Sequence, residues 1–530
     1  MISVGIVGSG HTGITVAKVL VRRGIRPVIL DVGETLDTDR QAVVARMSKQ
    51  RKTEWSDEDL AVVTRNPTVS GSKVLRLAYG SGYPYAGTRE IAPLDVESDG
   101  PSPSMARGGY STIWGGAMLP AAAADIRAWP IAHHELDDYY RLVLEDLPFS
   151  AATDKLARDF PLHRDHAEPL ELSPAIRAFL KSLDDSRYFE GRDDVAYGQA
   201  RLAVYAKAGP RAPGCVYCGR CLSGCVYGSI YSAEHDLERL IRAGAVDYRP
   251  GRTVLKVSEQ GNKVEVLCYT DGGQERVVLD RMFLAAGALS STRLVLESKL
   301  LYGRPTVMNT TQGFITPMLR FRGVSFPWPS ANTLAGAFFE FKLPSVSDNW
   351  IHAQISAPND LALARLGYRA NPKSPIDRIK KFALERLLVA TCTFHSDHAS
   401  SYVLELKAPA PGERGVLSVR TRPSATFKAV MKKGERRLAQ LLWKVGVVPL
   451  TPFGQGGDPG KPIGWHFGGT MPMTKEPTDE MHTDLLGRPG NWKRIHVVDS
   501  SVFPSVPATT IALLAMANAA RIADTTPLDD

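Results

Sequence analysis

At 530 residues the chain exceeds what one hydrophobic core organises, so two or three domains are expected. Its 44% hydrophobic and 23% charged content is ordinary for a globular protein, and no apolar run approaches the roughly 20 residues that a membrane span requires. The net charge of +8 is mild for this length, and with no nucleic-acid-binding module, repeat or low-complexity tract it argues against a nucleic-acid partner.

The N-terminus, "MISVGIVGSG", enters a structural motif at once. It leaves no room for a signal peptide, and a cytoplasmic, reducing setting is expected. Val4, Ile6 and Val7 form a short apolar strand, and Gly8, Gly10 and Gly13 fit G-x-G-x-x-G at the turn after it. An amphipathic helix follows, with Ile14, Val16, Ala17, Leu20 and Val21 on its apolar side; Gly24 ends it, and "PVIL" is a second strand closing on Asp31. Gly8 permits the tight turn, Gly10 lets backbone approach a pyrophosphate, and Gly13 lets helix pack on strand. The helix N-terminus offers free N–H groups and a positive dipole end to phosphates. Asp31, 18 residues after Gly13, is placed to accept hydrogen bonds from an adenosine ribose. The unit reads as a dinucleotide-binding βαβ fold.

Residues 147–174 are loop-rich and read as a connection between domains. "GCVYCGRCLSGCVYG" (214–228) then places four of the chain's six cysteines close together. Cys215-x2-Cys218-x2-Cys221-x3-Cys225 has the spacing of a bacterial ferredoxin loop, with Val226 in place of the usual proline. An iron–sulfur cluster, cluster-free structural or reactive thiols, and zinc are the three readings. Cys268 and Cys392 lie in apolar strands and read as buried thiols. "SPIDRIKKFALERLLVA" (374–390) opens on Ser374–Pro375 and reads as an amphipathic helix whose apolar face packs on a sheet. His395 and His398, in "FHSDHAS", have no third ligand nearby and read as surface or substrate-pocket histidines.

"GWHFGGTMPM" (464–473) and "RIHVVDSSVFPSVPATTIALLAMANAARIAD" (494–524), taken with the N-terminal fingerprint, resemble the glucose–methanol–choline (GMC) oxidoreductases, flavoenzymes that oxidise alcohols. "RGGYSTIWGGAMLP" (107–120) looks like the family's second glycine-rich flavin segment, and "GRTVLKV" (251–257) and "RMFLAAGALSSTRLVLES" (281–298) like the strand and turn that rejoin the nucleotide-binding domain. Residues 300–460 carry no assignable motif, as expected of the family's variable substrate domain. The resemblance implies FAD. Gly8, Gly10, Gly13 and Asp31 would hold its ADP half, and Gly108, Gly109, Ser111, Trp114, Gly115 and Gly116 would line flavin and diphosphate. Val254, Ala286 and Gly287 would lie near adenine, and Asp499 and Ser500 by the ribityl chain and diphosphate.

His466 matches the family's catalytic histidine, and the role suits an imidazole, whose pKa lies near neutrality. The family sets a second His or Asn on the segment after "VFP"; the matching position here is Thr510, beside Thr509. Threonine can donate or accept a hydrogen bond but cannot act as a base at neutral pH. Either His466 works with a hydroxyl that orients substrate, or another residue supplies the second group.

The fold expected is α/β: a doubly wound, Rossmann-like FAD domain (1–300 and 462–530, with an inserted loop 147–200 and the cysteine loop 214–228), and a substrate domain (301–461) of antiparallel sheet plus helices. The expected activity is oxidation of a CH–OH group to a carbonyl. Because Cys215, Cys221 and Cys225 also resemble the loop of bacterial GMC sugar dehydrogenases that carry a three-iron cluster, a carbohydrate, glycoside or polyol is the first substrate class, and a dehydrogenase-like branch the expected placement. A hydrophobic alcohol or secondary metabolite comes second, and a lyase with structural FAD or a non-enzymatic binding protein are readings of other kinds. A cluster (3Fe-4S or 4Fe-4S) would carry electrons onward from FAD; the acceptor would be a protein, a quinone or O2.

Overall fold

The computed structural model describes residues 2–64, 77–88, 92–96, 100–209, 212–325, 334–358, 374–410, 413–461, 464 and 466–528. Trp465, inside the motif that carries His466, lies outside the described residues.

The strand Val4–Val7 is buried at every position, because a parallel sheet is covered on both faces and has no polar side to present. It is the centre of a five-stranded parallel sheet ordered Ile495–Val497, Arg281–Leu284, Val4–Val7, Val28–Leu30, Asp247–Arg249. The helix His11–Arg22 buries Ile14, Val16, Ala17 and Leu20 and packs beside the C-terminal helix Ala512–Thr525. A three-stranded antiparallel meander, Thr253–Gln260, Lys263–Thr270 and Gly273–Leu279, joins the same core. In Lys263–Thr270 the period of two turns Val264, Val266 and Cys268 inward, so Cys268 is the buried thiol expected.

Two antiparallel sheets complete the molecule. One orders Phe467–Gly468, Thr306–Thr310, Ser401–Leu406, Leu417–Arg422 and, parallel to the last, Leu94–Val96. The other orders Val447–Pro449, Gln312–Arg320, Leu387–Phe394, Ser347–Ser356, Ala337–Leu343 and Val195–Gln199. One face of this second sheet carries Phe339, Phe341, Ile351, Ile355, Cys392 and Phe394 and is covered by the helices Pro174–Asp184 and Phe427–Trp443. Each such phenyl ring removed from water contributes roughly 1.5–3 kcal/mol. The opposite face carries Phe338 and Trp350 and packs against Leu119 of the second glycine-rich segment and Ala122 just after it. The fold is thus mixed α/β, with a parallel nucleotide-type sheet and antiparallel sheets beside it, as the sequence suggests.

Three local expectations are corrected. The helix at Ser374 does open on a cap, with Asp377 N–H donating to Ser374 Oγ at 3.1 Å, but it ends at Leu384, and Leu387–Phe394 is a strand. That apolar run pairs on both edges, with Gln312–Arg320 and Ser347–Ser356, and tertiary pairing overrides its helical pattern. The helix's apolar side does not pack on the sheet: Ile376, Ile379 and Phe382 are 65%, 69% and 58% exposed. His395 is 2% exposed and is not a surface residue; its Nε2 bonds the Asp125 carbonyl at 3.1 Å, so it fastens one loop to another. The inserted loop 147–200 also supplies the helix Pro174–Asp184 and the sheet's edge strand Val195–Gln199. Among the described residues no helix is long and apolar enough to cross a membrane.

Candidate active site

The glycine turn and the second glycine-rich segment meet at the carboxyl end of the parallel sheet. Gly8 has φ +93° and its N–H donates to the Leu30 carbonyl at 2.9 Å, linking the turn to the neighbouring strand. A Cβ on Gly13 would stand 2.1 Å from the Gly8 carbonyl oxygen, so only glycine lets the helix start this close to the strand. Gly10 differs, because a Cβ there would meet only Gly109 Cα, at 3.9 Å. The first turn of the helix carries no acidic side chain to compete for its N–H groups. His11, which the motif reading passes over, lies edge-on to Trp114 with ring centroids 4.5 Å apart, and its Nε2 is buried without a hydrogen-bond partner. A glycine cradle, free helix N–H groups and an orphaned imidazole nitrogen suit an anionic dinucleotide.

Asp31 is buried at the end of the second strand. One carboxylate oxygen accepts from Ser9 Oγ and from the Tyr248 hydroxyl at 3.1 Å, while burial pushes its pKa up to about 6. Ser9 Oγ also accepts from Gly108 N–H at 2.9 Å, so Ser9 joins the two glycine segments. Gly108 and Gly109 have φ of +85° and +57°, and Ser111 Oγ accepts from Ala233 N–H at 2.8 Å, tying this turn to the helix Ala233–Arg242. Trp114 Nε1 donates to the Tyr231 carbonyl at 2.8 Å, Gly115 is half-buried, and Gly116 turns the chain with φ +66°.

Asp499 is buried, and its carboxylate is taken up by its own chain. It accepts from Gly287 N–H at 2.9 Å, from Ser291 Oγ, and from Ser501 N–H at 3.0 Å. It therefore fixes the Ala286–Gly287 turn to the 499–501 segment. Ser500 Oγ donates to the Phe467 carbonyl at 2.6 Å and so holds the strand next to His466. Val254 is half-buried at the start of the meander, where it pairs with Cys268 before a bulge.

His466 precedes Phe467–Gly468, and its carbonyl accepts from Thr311 N–H at 3.1 Å. Its ring is partly open, yet Nδ1 is sealed from solvent and has no hydrogen-bond partner. Burial, with the charge of His352 nearby, lowers its pKa to about 4, so the imidazole is neutral and proton-accepting at neutral pH. Thr510 is buried and its Oγ1 accepts from Leu119 N–H at 3.0 Å, which joins the C-terminal segment to the second glycine-rich segment. Thr509, its neighbour, is also buried.

Two residues absent from the motif reading enter from the second sheet. His352 Nδ1 and Glu340 Oε1 are 2.6 Å apart, and the residues are 1% and 0% exposed. The only signal in the sequence is an ionisable residue inside each apolar strand, "FFEF" and "WIHA".

The cysteine loop lends the metal expectation no support. Cys215, Cys218, Cys221 and Cys225 form no disulfide and are half-buried. The loop folds around its own polar contacts: Cys215 N–H donates to the Tyr205 carbonyl at 2.8 Å, Ser229 N–H to Cys225 Sγ at 3.2 Å, and the Tyr79 hydroxyl to the Cys225 carbonyl at 3.1 Å. Tyr79 packs so tightly on Gly224 that a Cβ there would lie 2.7 Å from its ring. Burial pushes the Cys215 thiol up to about 12 and Cys218 to about 11, with the neighbouring thiols adding to the shift. Metal ligation needs thiolates converging on one point. Among the described residues no three His, Cys, Asp or Glu side chains are placed to hold a metal ion. The iron–sulfur cluster and zinc suggested by the spacing are therefore unsupported; the loop instead walls a cleft with Tyr83, Trp114 and Glu234. Purified protein is expected to contain flavin without stoichiometric iron. Iron and acid-labile sulfide at three or four per flavin would reinstate the cluster.

No family profile matches the chain, and no curated protein matches its sequence. Solved structures do match. One is pyridoxine 4-oxidase from Mesorbium loti, with a TM-score of 0.60 and 16% identity, covering 99% of this chain and 98% of that one. At that identity the likeness is one of fold, and it runs the whole length of both proteins.

Proposed function

We propose that the chain is an FAD-dependent oxidoreductase of the glucose–methanol–choline family that oxidises a CH–OH group to a carbonyl, with His466 as base. The observation that carries this reading is the setting of His466: an imidazole with a buried, orphaned ring nitrogen, on a segment that Ser500 fastens next to the parallel sheet. The fold shared with a pyridoxine 4-oxidase supports it.

Gly8, Gly10 and Gly13, the first turn of His11–Arg22, and Asp31 would hold the adenosine diphosphate half. Gly108, Gly109, Ser111 and the Trp114–Gly116 turn would line the flavin half. When bound, FAD supplies a two-electron acceptor for the carbinol hydride. His466 takes the hydroxyl proton as the C–O bond becomes a carbonyl, and its depressed pKa keeps it able to do so at neutral pH. Thr510 holds backbone to backbone through Leu119 and positions the site. Asp499 does the same for the Ala286–Gly287 turn.

Carbohydrates and polyols are the first substrates to assay. Ring-borne primary alcohols come next, because the structure of like fold is a pyridoxine 4-oxidase. The carbohydrate class and the dehydrogenase-like branch drew on the cysteine loop alone, so O2 is the first acceptor to test. The test is anaerobic mixing with each alcohol, followed by flavin absorbance. Bleaching by at least one, with release of the matching carbonyl, is expected. A flavin that no alcohol bleaches but that strong chemical reductant does would sink the proposal.

A further inference from the structure

The helix Pro375–Leu384 buries Leu384 and leaves Ile376, Ile379 and Phe382 in water. Apolar side chains scattered singly over a surface are ordinary, but a contiguous set marks an interaction site. These three are continuous with two more. The Arg386 guanidinium lies 3.6 Å from the centre of the Phe382 ring and donates to the Phe382 carbonyl at 3.0 Å. A Cβ on Gly323 would stand 2.9 Å from the same guanidinium, so the turn after Gln312–Arg320 abuts the end of the helix. Val324 N–H fastens that turn by donating to the Glu385 carbonyl at 2.8 Å. The turn carries Phe321, whose ring meets Trp443 edge-on at 5.3 Å. Phe321 and Trp443 are 57% and 60% exposed. One surface thus gathers five large apolar side chains from three separate parts of the chain.

The charges around it have one sign on the exposed side. At about 100° per residue, Ile376, Ile379 and Phe382 span a stripe of about 120° on the helix. Arg378 stands about 40° beyond Phe382 on one flank, and Lys380 about 40° beyond Ile376 on the other. Asp377, the helix's one acid, falls nearly opposite the middle of the stripe and serves the cap, accepting from Ser374 Oγ at 2.9 Å. Glu385, just past the helix, is paired with Arg386 at 3.7 Å. Arg322 and Lys444 are exposed next to Phe321 and Trp443. An apolar stripe between basic flanks suits a membrane interface, where rings and branched chains enter the acyl boundary and Lys and Arg reach anionic headgroups. A second copy of the chain fits less well. A symmetric contact would set basic flank against basic flank, and like charges repel.

We propose that this surface docks the protein peripherally on an anionic lipid bilayer. Ile376, Ile379, Phe382, Phe321 and Trp443 enter the interface, and Arg378, Lys380, Arg322 and Lys444 meet the headgroups. The surface lies at the Arg320 end of the strand Gln312–Arg320, whereas Thr311, just before its other end, holds the His466 carbonyl. At roughly 3.3 Å per residue those ends are about 26 Å apart. Docking is therefore remote from the candidate active site, does not rest on the function proposed for it, and is tested without turnover.

The test is co-sedimentation of the purified full chain with vesicles of phosphatidylcholine alone, or of phosphatidylcholine with one-third phosphatidylserine. The chain is expected to bind the anionic vesicles at least tenfold more tightly, a preference that high salt removes. Arg378→Glu combined with Lys380→Glu is expected to remove it at low salt as well. Ile379→Ser combined with Phe382→Ser is expected to weaken binding at least tenfold, because two large apolar groups no longer enter the bilayer. Both side chains are exposed, so this variant should melt with the unmodified chain. Should it melt early, Trp443→Ser on a separate helix decides, with at least a threefold loss expected. An unmodified chain that ignores anionic vesicles overturns the proposal. So does binding that persists undiminished in the apolar variant, which would make the attraction one of net charge alone. A dimer in sedimentation equilibrium that the same variant dissociates would assign the surface to self-association and overturn it too.

Discussion

His466→Ala is expected to purify with FAD bound and to reduce it with alcohol roughly 10²–10⁴-fold more slowly, the usual contribution of a positioned general base. The side chain is separate from the cofactor cradle: the glycine turn, Ser9, Asp31 and the Gly108–Ser111 turn hold one another through contacts that do not include it. Its backbone is anchored independently, by Thr311 on one side and through Phe467 to Ser500 on the other. Truncating the ring therefore removes a proton acceptor and leaves the scaffold. His466→Asn adds a control, since an amide can hydrogen-bond a hydroxyl but takes no proton at neutral pH. Both variants should behave alike if proton transfer matters, whereas Asn should recover much of the rate if the ring only orients substrate. With a pKa of about 4, the unmodified base is unprotonated above that value, so its flavin reduction should be flat toward neutral pH and fall as pH drops through about 4. Unchanged bleaching in His466→Ala would remove the residue from the mechanism.

The N-terminal βαβ unit was legible because each of its requirements is local. A turn, a close helix–strand approach and a terminal acid sit within one βαβ stretch, and each has its own steric or charge reason. His466 stands out in the sequence through its motif. Glu340 and His352 do not, because a lone Glu between phenylalanines gives no sign of which strand will lie beside it; their meeting is a product of register. The edge strand Val195–Gln199 escaped for the same reason, its partner Ala337–Phe341 being far along the chain. The cysteine loop is the opposite case. Its spacing reads as a ligand set, but whether sulfurs converge is decided by the path of the backbone, and here Tyr79 and Ser229 set that path. The helix Pro375–Leu384 shows that periodicity establishes an apolar face without saying what covers it.

Gly10→Ala and Gly13→Ala should part company, although both alter the same fingerprint. Gly13 is helical, so alanine is conformationally acceptable there, but its Cβ would stand 2.1 Å from the Gly8 carbonyl oxygen. Backbone cannot yield as a flexible side chain would, and overpacking of this kind costs about 1–3 kcal/mol. Gly13→Ala should therefore lower the melting temperature of the protein and also lose FAD, because the turn itself is displaced. Gly10, with φ −68°, is equally permissive of a side chain, and no protein atom lies nearer its Cβ than Gly109 Cα at 3.9 Å. The protein alone gives Gly10 no reason to be glycine; the close approach of a pyrophosphate would. Gly10→Ala should fold with nearly the stability of the unmodified chain after FAD removal, yet bind FAD roughly tenfold or more weakly, about 1.4 kcal/mol. Gly24→Ala serves as the reference for backbone strain: its φ is +77° and a Cβ there meets nothing within 4 Å, so it should lose about 1 kcal/mol of stability and keep its flavin. Melting temperature of the flavin-free proteins and FAD titration separate the three. A Gly10→Ala protein that binds FAD as tightly as the unmodified chain would show that the dinucleotide does not pass over this turn.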